Sequence, residues 1–534
     1  MERMWKFLMG LLLLCSLVLV KGQITKSYYT AGVVEFRPTV QGGSSSEMLQ
    51  QNLDAYLQLI EQANGEADIL VFPEGTLNNP LQLTRVPQLT HNDSICSEAI
   101  AQQHRVEPFM QKLACAALRA RSYLVINVQE REDCDIKTQR DCPSRGYLLF
   151  NTNVVFDRSG AIVSRYRKWN LYLAPEMNRT ESADYGAFKT DLGIVFGHFI
   201  CFDMLFYTPA TELIERFEIR NIIATNMFNS ELPFLTASQL QQGWAWGSEV
   251  NLLAAGASLP ARGISGSGIY AGKRGAIVRH MVGNATVGER RLLLARVPIY
   301  PNIISGDVSF DVARPGPAQQ MLPLLQQQAA NFRSQPLQLQ NSSLQQIKLC
   351  EQQLCCYFNV SLQLPPAQQL KQLPYQYRAA LFAGNRSYEQ DQRSSLRLCA
   401  IVACLNDEPA SCGKLHAADL ANAPRLQFNA LNVSGEFIPY RRRLLMPSTL
   451  SYSLYALQPS EMSWQQHFEL FKPTRIDMQL LQPHSQLLTF GIYGNYFDEH
   501  YKGKAAGRTA LSGWLLSCAL LSPLLLLMLI GKCN

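Results

Sequence analysis

Gly193-Ile194-Val195-Phe196-Gly197-His198-Phe199-Ile200-Cys201-Phe202-Asp203-Met204 is a short apolar run that stops on a thiol. The run reads as a buried strand. The residues after it read as a helix start, with Thr208 able to cap and Pro209 suited to the first helical position. A thiol between a strand end and a helix N-terminus is a place for a nucleophile. It is equally a place for a small core hydrophobe, because free cysteine is among the most buried residue types. The rest of the chain has to separate the two readings.

Outward from this run, residues 23–300 alternate strand and helix patterns. Tyr29 to Phe36 reads as a strand, and Ser44 with Glu47 forms a capping box that opens a helix. Ala67 to Phe72 is an apolar strand that runs into Pro73-Glu74, and a helix from Pro108 leads to the strand Tyr123 to Val128. Tyr147 to Phe156 and Ala161 to Tyr166 make a hairpin across Asp157-Arg158-Ser159-Gly160, which delivers Arg167-Lys168. A helix over Pro209 to Phe217, a strand over Asn221 to Thr225, a helix over Gln239 to Glu249 and strands at Asn251 to Ala257 and Leu292 to Val297 complete one α/β domain. Residues 301–344 are Gln-rich and read as a connection. Residues 345–500 carry six cysteines and short strand-like runs, among them Leu396 to Leu405, Leu426 to Val433, Leu450 to Leu457 and Leu487 to Tyr493. They read as a smaller, β-rich, disulfide-stapled domain.

The ends of the chain carry addresses. Arg3 and Lys6 precede the apolar run Phe7 to Val20, so residues 1–22 read as a secretory signal peptide. Residues 501–534 read as a GPI-attachment signal, with Ala505, Ala506 and Gly507 as candidate attachment residues and an apolar tail, Trp514 to Ile530, expected to be removed. A retained transmembrane helix is the rival reading of that tail. Seven sequons, at Asn92, Asn178, Asn284, Asn341, Asn359, Asn385 and Asn432, fit the secretory route. Together these features place the mature chain on the extracellular face of the plasma membrane, its anchor in the outer leaflet. A net charge of +6 spread over 534 residues, with no basic stripe, argues against nucleic acid as a partner.

Of 14 cysteines, Cys15, Cys518 and Cys533 lie in the end segments. The six late ones, Cys350, Cys355, Cys356, Cys399, Cys404 and Cys412, are an even set that suits up to three disulfides of undetermined connectivity. Zinc is the rival reading, but the paired spacing and the histidines are missing. Cys96, Cys115, Cys134, Cys142 and Cys201 are five, so one must be odd. Cys134 and Cys142 share a polar loop. If Cys96 pairs with Cys115, the odd thiol is Cys201.

Glu74, Lys168 and Cys201 each stand just past an apolar strand, where ligands bind in α/β sheets. A carboxylate, an ammonium and a thiol have assignable roles there: general base, oxyanion donor and covalent nucleophile. A lysine beside the thiol is also expected to lower its pKa. Each residue alone is ordinary; Glu74 suits a surface turn and Lys168 a solvated charge. His198 lies three residues before Cys201, so strand alternation sets it on the opposite face and argues against a Cys-His protease pair.

Phe72-Pro73-Glu74-Gly75, Arg165-Tyr166-Arg167-Lys168-Trp169-Asn170-Leu171 and Cys201-Phe202-Asp203-Met204-Leu205-Phe206 resemble, in order, the three motifs of the nitrilase superfamily. Lys168 through Leu173, Cys201 through Ala210, Trp244-Ala245-Trp246 and Ser265-Gly266-Ser267-Gly268-Ile269-Tyr270 are most similar to its vanin and biotinidase branch. The resemblance implies an αββα sandwich and a Glu-Lys-Cys triad, with Glu74 as proton acceptor, Lys168 as stabilising donor and Cys201 as nucleophile. It implies hydrolysis of a small linear amide without metal or organic cofactor: pantetheine to pantothenate and cysteamine in the vanin case, a biotin amide in the alternative. The chain departs from the branch at Ala174, where related enzymes often place a glutamate; Glu176 lies two residues later. The rival from another class is a catalytically silent surface glycoprotein that uses the fold for binding or adhesion.

Overall fold

The computed structural model describes residues 27–497 except 89, 91–92, 140–141, 283–286, 302–323, 328–330, 342, 389–391, 417–419, 421 and 471. The segment read as a signal peptide, the segment read as an anchor signal with Ala505, Ala506 and Gly507, and the sequons at Asn92 and Asn284 lie outside the described residues. Of the other sequons, Asn341 and Asn385 are exposed, while Asn178, Asn359 and Asn432 are half-buried.

The first unit is built on β1 (Tyr28–Phe36), β2 (Ile69–Val71), β3 (Tyr123–Asp133), β4 (Tyr147–Phe156), β5 (Ile162–Arg167), β6 (Gly186–Lys189), β7 (Val195–Ile200) and β8 (Asn221–Asn226). After the short β9 (Glu231–Leu232) come β10 (Asn251–Ala257), β11 (Ser267–Ala271), β12 (Ala276–His280) and β13 (Arg290–Pro298). All but β9 join one sheet, ordered β5-β4-β3-β2-β1-β10-β8-β7-β6, with β11 to β13 branching from it. From β3 to β7 neighbours in this order run parallel. These central strands are buried on both faces, which is why they read as continuous apolar runs rather than alternating ones.

β1 is where the sheet divides. β2 takes one side of it; β13 takes the whole of the other, and β10 pairs only with Glu35 and Phe36. The two leaves face each other across a core that includes Val33, Val71 and Val125 from one and Phe196, Ile223 and Leu253 from the other. Helices Ser45–Gln62 and Pro108–Ala120 cover the outside of the first leaf, and helix Ala237–Ser248 the outside of the second. This is the αββα sandwich.

The second unit is a sandwich of two five-stranded antiparallel sheets. Residues from both, such as Phe358 and Ile476 on one and Ile401 and Phe490 on the other, form its core. The late cysteines pair as Cys350–Cys355, Cys356–Cys399 and Cys404–Cys412, the second of them joining strands of the two sheets. In the first unit Cys96 pairs with Cys115 and Cys134 with Cys142. Cys201 is the one free cysteine among the described residues.

Three local expectations shift. The helix expected over Pro209 to Phe217 is present as a π-helical turn, Tyr207–Thr211, that runs into one α-helical turn, Glu212–Glu215, but Thr208 is extended and does not cap it. The strand expected at Leu450 to Leu457 is Arg443–Ser451, because the segment after it turns over. The carbonyls of Leu454, Ala456 and Leu457 there accept bonds from Ser238, Arg279 and Gln242 of the first unit. Within the Gln-rich stretch, Leu325–Gln326 pairs with β9 and Arg333–Pro336 extends a sheet of the second unit.

The two units meet along helix Ala237–Ser248. Gly243 and Gly247 are both required there: a Cβ at Gly243 would sit 2.5 Å from the Pro447 carbonyl oxygen, and one at Gly247 2.8 Å from that of Leu445. Between the glycines Trp244 is fully buried.

The Ser265-Gly266-Ser267 phrase encloses a buried carboxylate. Glu35 accepts from the Ser265 hydroxyl at 2.6 Å, the Ser267 hydroxyl at 2.5 Å and the Gly266 amide at 3.3 Å. Burial outweighs these bonds and raises its pKa from 4.5 to about 7. A raised carboxyl contributes stability that is complete below the unfolded value and lost as pH climbs through the folded one. The rise corresponds to at most about 3 kcal/mol. Between about pH 4.5 and 7, wild-type melting temperature should therefore fall more steeply than that of Glu35→Gln, as calorimetry across this range would measure.

Candidate active site

Cys201 closes β7 and opens a tight turn, Cys201–Leu205, with φ at +50°. A side chain in the left-handed region is strained and needs its surroundings to hold it. Asp203 does much of the holding. Its buried carboxylate accepts from the Ile200 amide at 3.1 Å, the Tyr166 hydroxyl at 2.7 Å, and the Asn170 amide and side chain at 2.8 and 2.9 Å. Tyr166 and Asn170 flank Lys168, so one carboxylate binds the Cys201 turn to the segment that carries the lysine.

Lys168 follows β5, and its neighbour Arg167 anchors that strand end. The Arg167 guanidinium donates to Glu130 at 3.0 and 2.5 Å, and lies 3.9 Å from the centre of the Phe150 ring. Lys168 itself donates from Nζ to Glu74 Oε1 at 2.6 Å, with both side chains buried. The same oxygen accepts from Asn151 Nδ2 at 2.7 Å, and Oε2 accepts from the Met227 amide at 2.9 Å.

Behind Glu74 stands a set of buried amides that sequence reading missed. Asn127 accepts from the Gly75 amide at 2.8 Å and donates to Asn151 and Asn153 at 2.7 and 3.1 Å. Thr225 donates to Asn153 at 2.9 Å. The signal was available: Asn127 and Thr225 sit among apolar residues of their strands, and Asn151 and Asn153 stand two apart, on one face. Buried amides of this kind are kept because each bond they make fixes a neighbour.

The electrostatics differ from the expectation for the thiol. Burial pushes Cys201 well above the ordinary thiol range, and the nearby Glu74 carboxylate adds to the rise; Lys168 offsets only part of it. Burial on its own would lower the Lys168 ammonium. The Glu74 carboxylate is the main influence that reverses that and holds it above the ordinary lysine range. The resting pair is therefore a neutral thiol beside a charged lysine, with Glu74 within hydrogen-bond reach of both. A carboxylate so placed can accept the thiol proton, and an ammonium so placed can donate to an oxygen that becomes charged.

Cys201 opens onto a small, partly open cavity. Tyr172, Phe202, Leu205 and Leu235 give it apolar walls, and Arg386 and Tyr388 of the second unit complete it. Glu176 is exposed and is not among the residues that line it. His198 is fully buried, 2.7 Å from the Ser164 hydroxyl, and burial lowers its pKa to about 3. It is a neutral core histidine on the other face of β7.

Residues 39–215 match the carbon-nitrogen hydrolase family, and residues 322–500 match the vanin C-terminal domain. Vanin-like protein 3 of Drosophila melanogaster is 48% identical over 528 residues, 98% of each chain. Pantetheine hydrolase VNN2 of Homo sapiens is 26% identical over 484 residues, 87% of this chain and 86% of its own. Biotinidase of Rattus norvegicus is 32% identical over 309 residues, 55% of this chain and 58% of its own. The chain belongs to the vanin and biotinidase branch of the nitrilase superfamily, and it is a hydrolase of carbon–nitrogen bonds other than peptide bonds.

Proposed function

We propose that this chain is an extracellular, GPI-anchored amidohydrolase that cleaves a small linear amide of the pantetheine type through a thioester on Cys201. The observation that carries this reading is the closed contact of Glu74 with Lys168 at 2.6 Å, beside the one free thiol among the described residues. The pantetheine-type substrate is favoured over a biotin amide by the extent of the likeness to the pantetheine hydrolase, which spans both units of the chain. The extracellular location rests on the signal peptide, the sequons and the five disulfides among the described residues.

Glu74 takes the Sγ proton as the sulfur attacks the amide carbon. A C–S bond forms, and the carbonyl oxygen takes up the charge, to which Lys168 Nζ and the backbone N–H after Cys201 donate. Collapse breaks the C–N bond, and the amine leaves with the proton from Glu74. Glu74 next takes a proton from the water that attacks the thioester. The C–S bond breaks, the acid departs, and the proton returns to sulfur. Because the thiol is neutral at rest, the nucleophile forms only when Glu74 and substrate are both in place.

Purified ectodomain should release primary amine from pantetheine, and Cys201→Ala should lose all of it; turnover that survives the substitution would sink the mechanism. Wild-type protein inert toward pantetheine, biocytin and other small amides would favour the binding role instead. Alkylation of Cys201 by iodoacetamide should still be climbing with pH above about 9, beyond an ordinary thiol. Glu74→Gln removes the carboxylate charge that raises the thiol, so its profile should move to lower pH. On intact cells, a phosphatidylinositol-specific phospholipase should release the protein to the medium; protein that stays on the membrane would point to a retained helix.

A further inference from the structure

The cavity beside Cys201 has one wall from the second unit, and that wall carries a guanidinium with a spare donor. Arg386, at the end of strand Gln376–Ser387, lines the cavity. Its Nη2 donates to the Glu231 carboxylate, and its guanidinium lies 4.7 Å from the centre of the Tyr388 ring. Tyr388 in turn packs edge-on against Phe202, the residue after Cys201, with ring centres 5.1 Å apart, and against Phe206 at 5.9 Å. The side chain is thus held on two sides. Its Nη1 is shielded from solvent and has no hydrogen-bond partner among the described residues. A buried donor without a partner is costly, and such groups in native proteins call for an explanation.

The bland account is a structural ion pair that staples the second unit to β9. It explains Nη2. It does not explain an unpartnered N–H on a residue that walls the cavity of the candidate nucleophile. We infer that Arg386 is a specificity-determining residue of the amidase site, its Nη1 donating to an oxygen in the acyl portion of the substrate. This inference rests on the amidohydrolase function proposed above. Glu231 already neutralises the guanidinium, and its carboxylate would repel an anionic acyl group. The group recognised is accordingly a neutral acceptor, a hydroxyl or a carbonyl, set back from the scissile amide. The apolar walls of Tyr172, Phe202, Leu205 and Leu235 take the carbon frame around it. The second unit then acts in substrate selection, while Glu74, Lys168 and Cys201 come from the first.

The test compares pantetheine, or biocytin if that is the amide turned over, with N-propionylcysteamine, which has no acyl oxygen beyond the scissile carbonyl. Arg386→Met should raise KM for the oxygen-bearing amide by about ten- to a hundredfold, the usual weight of a hydrogen bond from a charged donor, with kcat nearly unchanged. Its kcat/KM for N-propionylcysteamine should stay within about twofold of wild type. Arg386→Lys keeps the charge opposite Glu231 and guards against a folding defect. It should restore thermal stability and wild-type alkylation of Cys201 by iodoacetamide, yet leave KM high. KM unchanged in both variants, or an equal loss on both amides with alkylation impaired, would overturn the inference and leave Arg386 a structural staple. Wild-type protein that hydrolyses none of these amides would overturn the proposed function, and this inference with it, before any variant is made.

Discussion

A charged lysine and a carboxylate share one buried site, and neither could stay there alone. Lys168 and Glu74 are each almost fully shielded from water. A buried charge is tolerated when it is paired and its remaining hydrogen-bonding capacity is met. The pair meets at 2.6 Å, and Asn151 and the Met227 amide complete the carboxylate. Removing either partner would strand the other. The segments that supply these groups, on or just past β2, β4, β5 and β8, must therefore converge for the first unit to close.

The sheet makes that convergence economical. β2, β7 and β8 belong to the parallel run, so Glu74, Cys201 and Met227 leave it at the same end. β5 reaches that end by two antiparallel steps, β3 to β4 and β4 to β5, which restore its direction. Asp203 then ties the strained Cys201 turn to the lysine segment through Tyr166 and Asn170. The alignment of base, ammonium and thiol comes from the hydrogen-bonded residues around them as much as from the three groups themselves.

The second unit is more than an appendage. Helix Ala237–Ser248 gives up side chains at Gly243 and Gly247 so that its backbone can reach Pro447 and Leu445. It offers buried glutamines in exchange: Gln239 bonds Ser448 at 3.0 Å and Gln242 bonds the Leu457 carbonyl at 2.5 Å. Asn495 reaches the Leu205 carbonyl at 2.8 Å, at the far end of the Cys201 turn. Packing of this kind fixes Arg386 and Tyr388 against the cavity.

Strand and helix order, the capping box at Ser44, the hairpin at Asp157 to Gly160, the odd cysteine and the Glu-Lys-Cys set were all legible in the chain, because each depends on local pattern or on counting. The capping role expected of Thr208 was not, since Thr208 lies extended and the Asn170 side chain bonds its carbonyl. The asparagines behind Glu74 escaped for a related reason: polar residues within strands have meaning only once their cross-strand neighbours are known. The direction of the Cys201 shift was misjudged because the lysine was visible in the sequence and the burial was not. By itself, then, the sequence determined an α/β first domain, with the αββα class implied by its resemblance to the nitrilase superfamily, the cysteine left unpaired once Cys96 and Cys115 join, and the three residue types at the strand ends. Only the tertiary structure decided the protonation of the thiol, the partners of Glu74 and the second-unit wall of the cavity. Those depend on desolvation and on contacts between residues up to hundreds of positions apart, which no local pattern encodes.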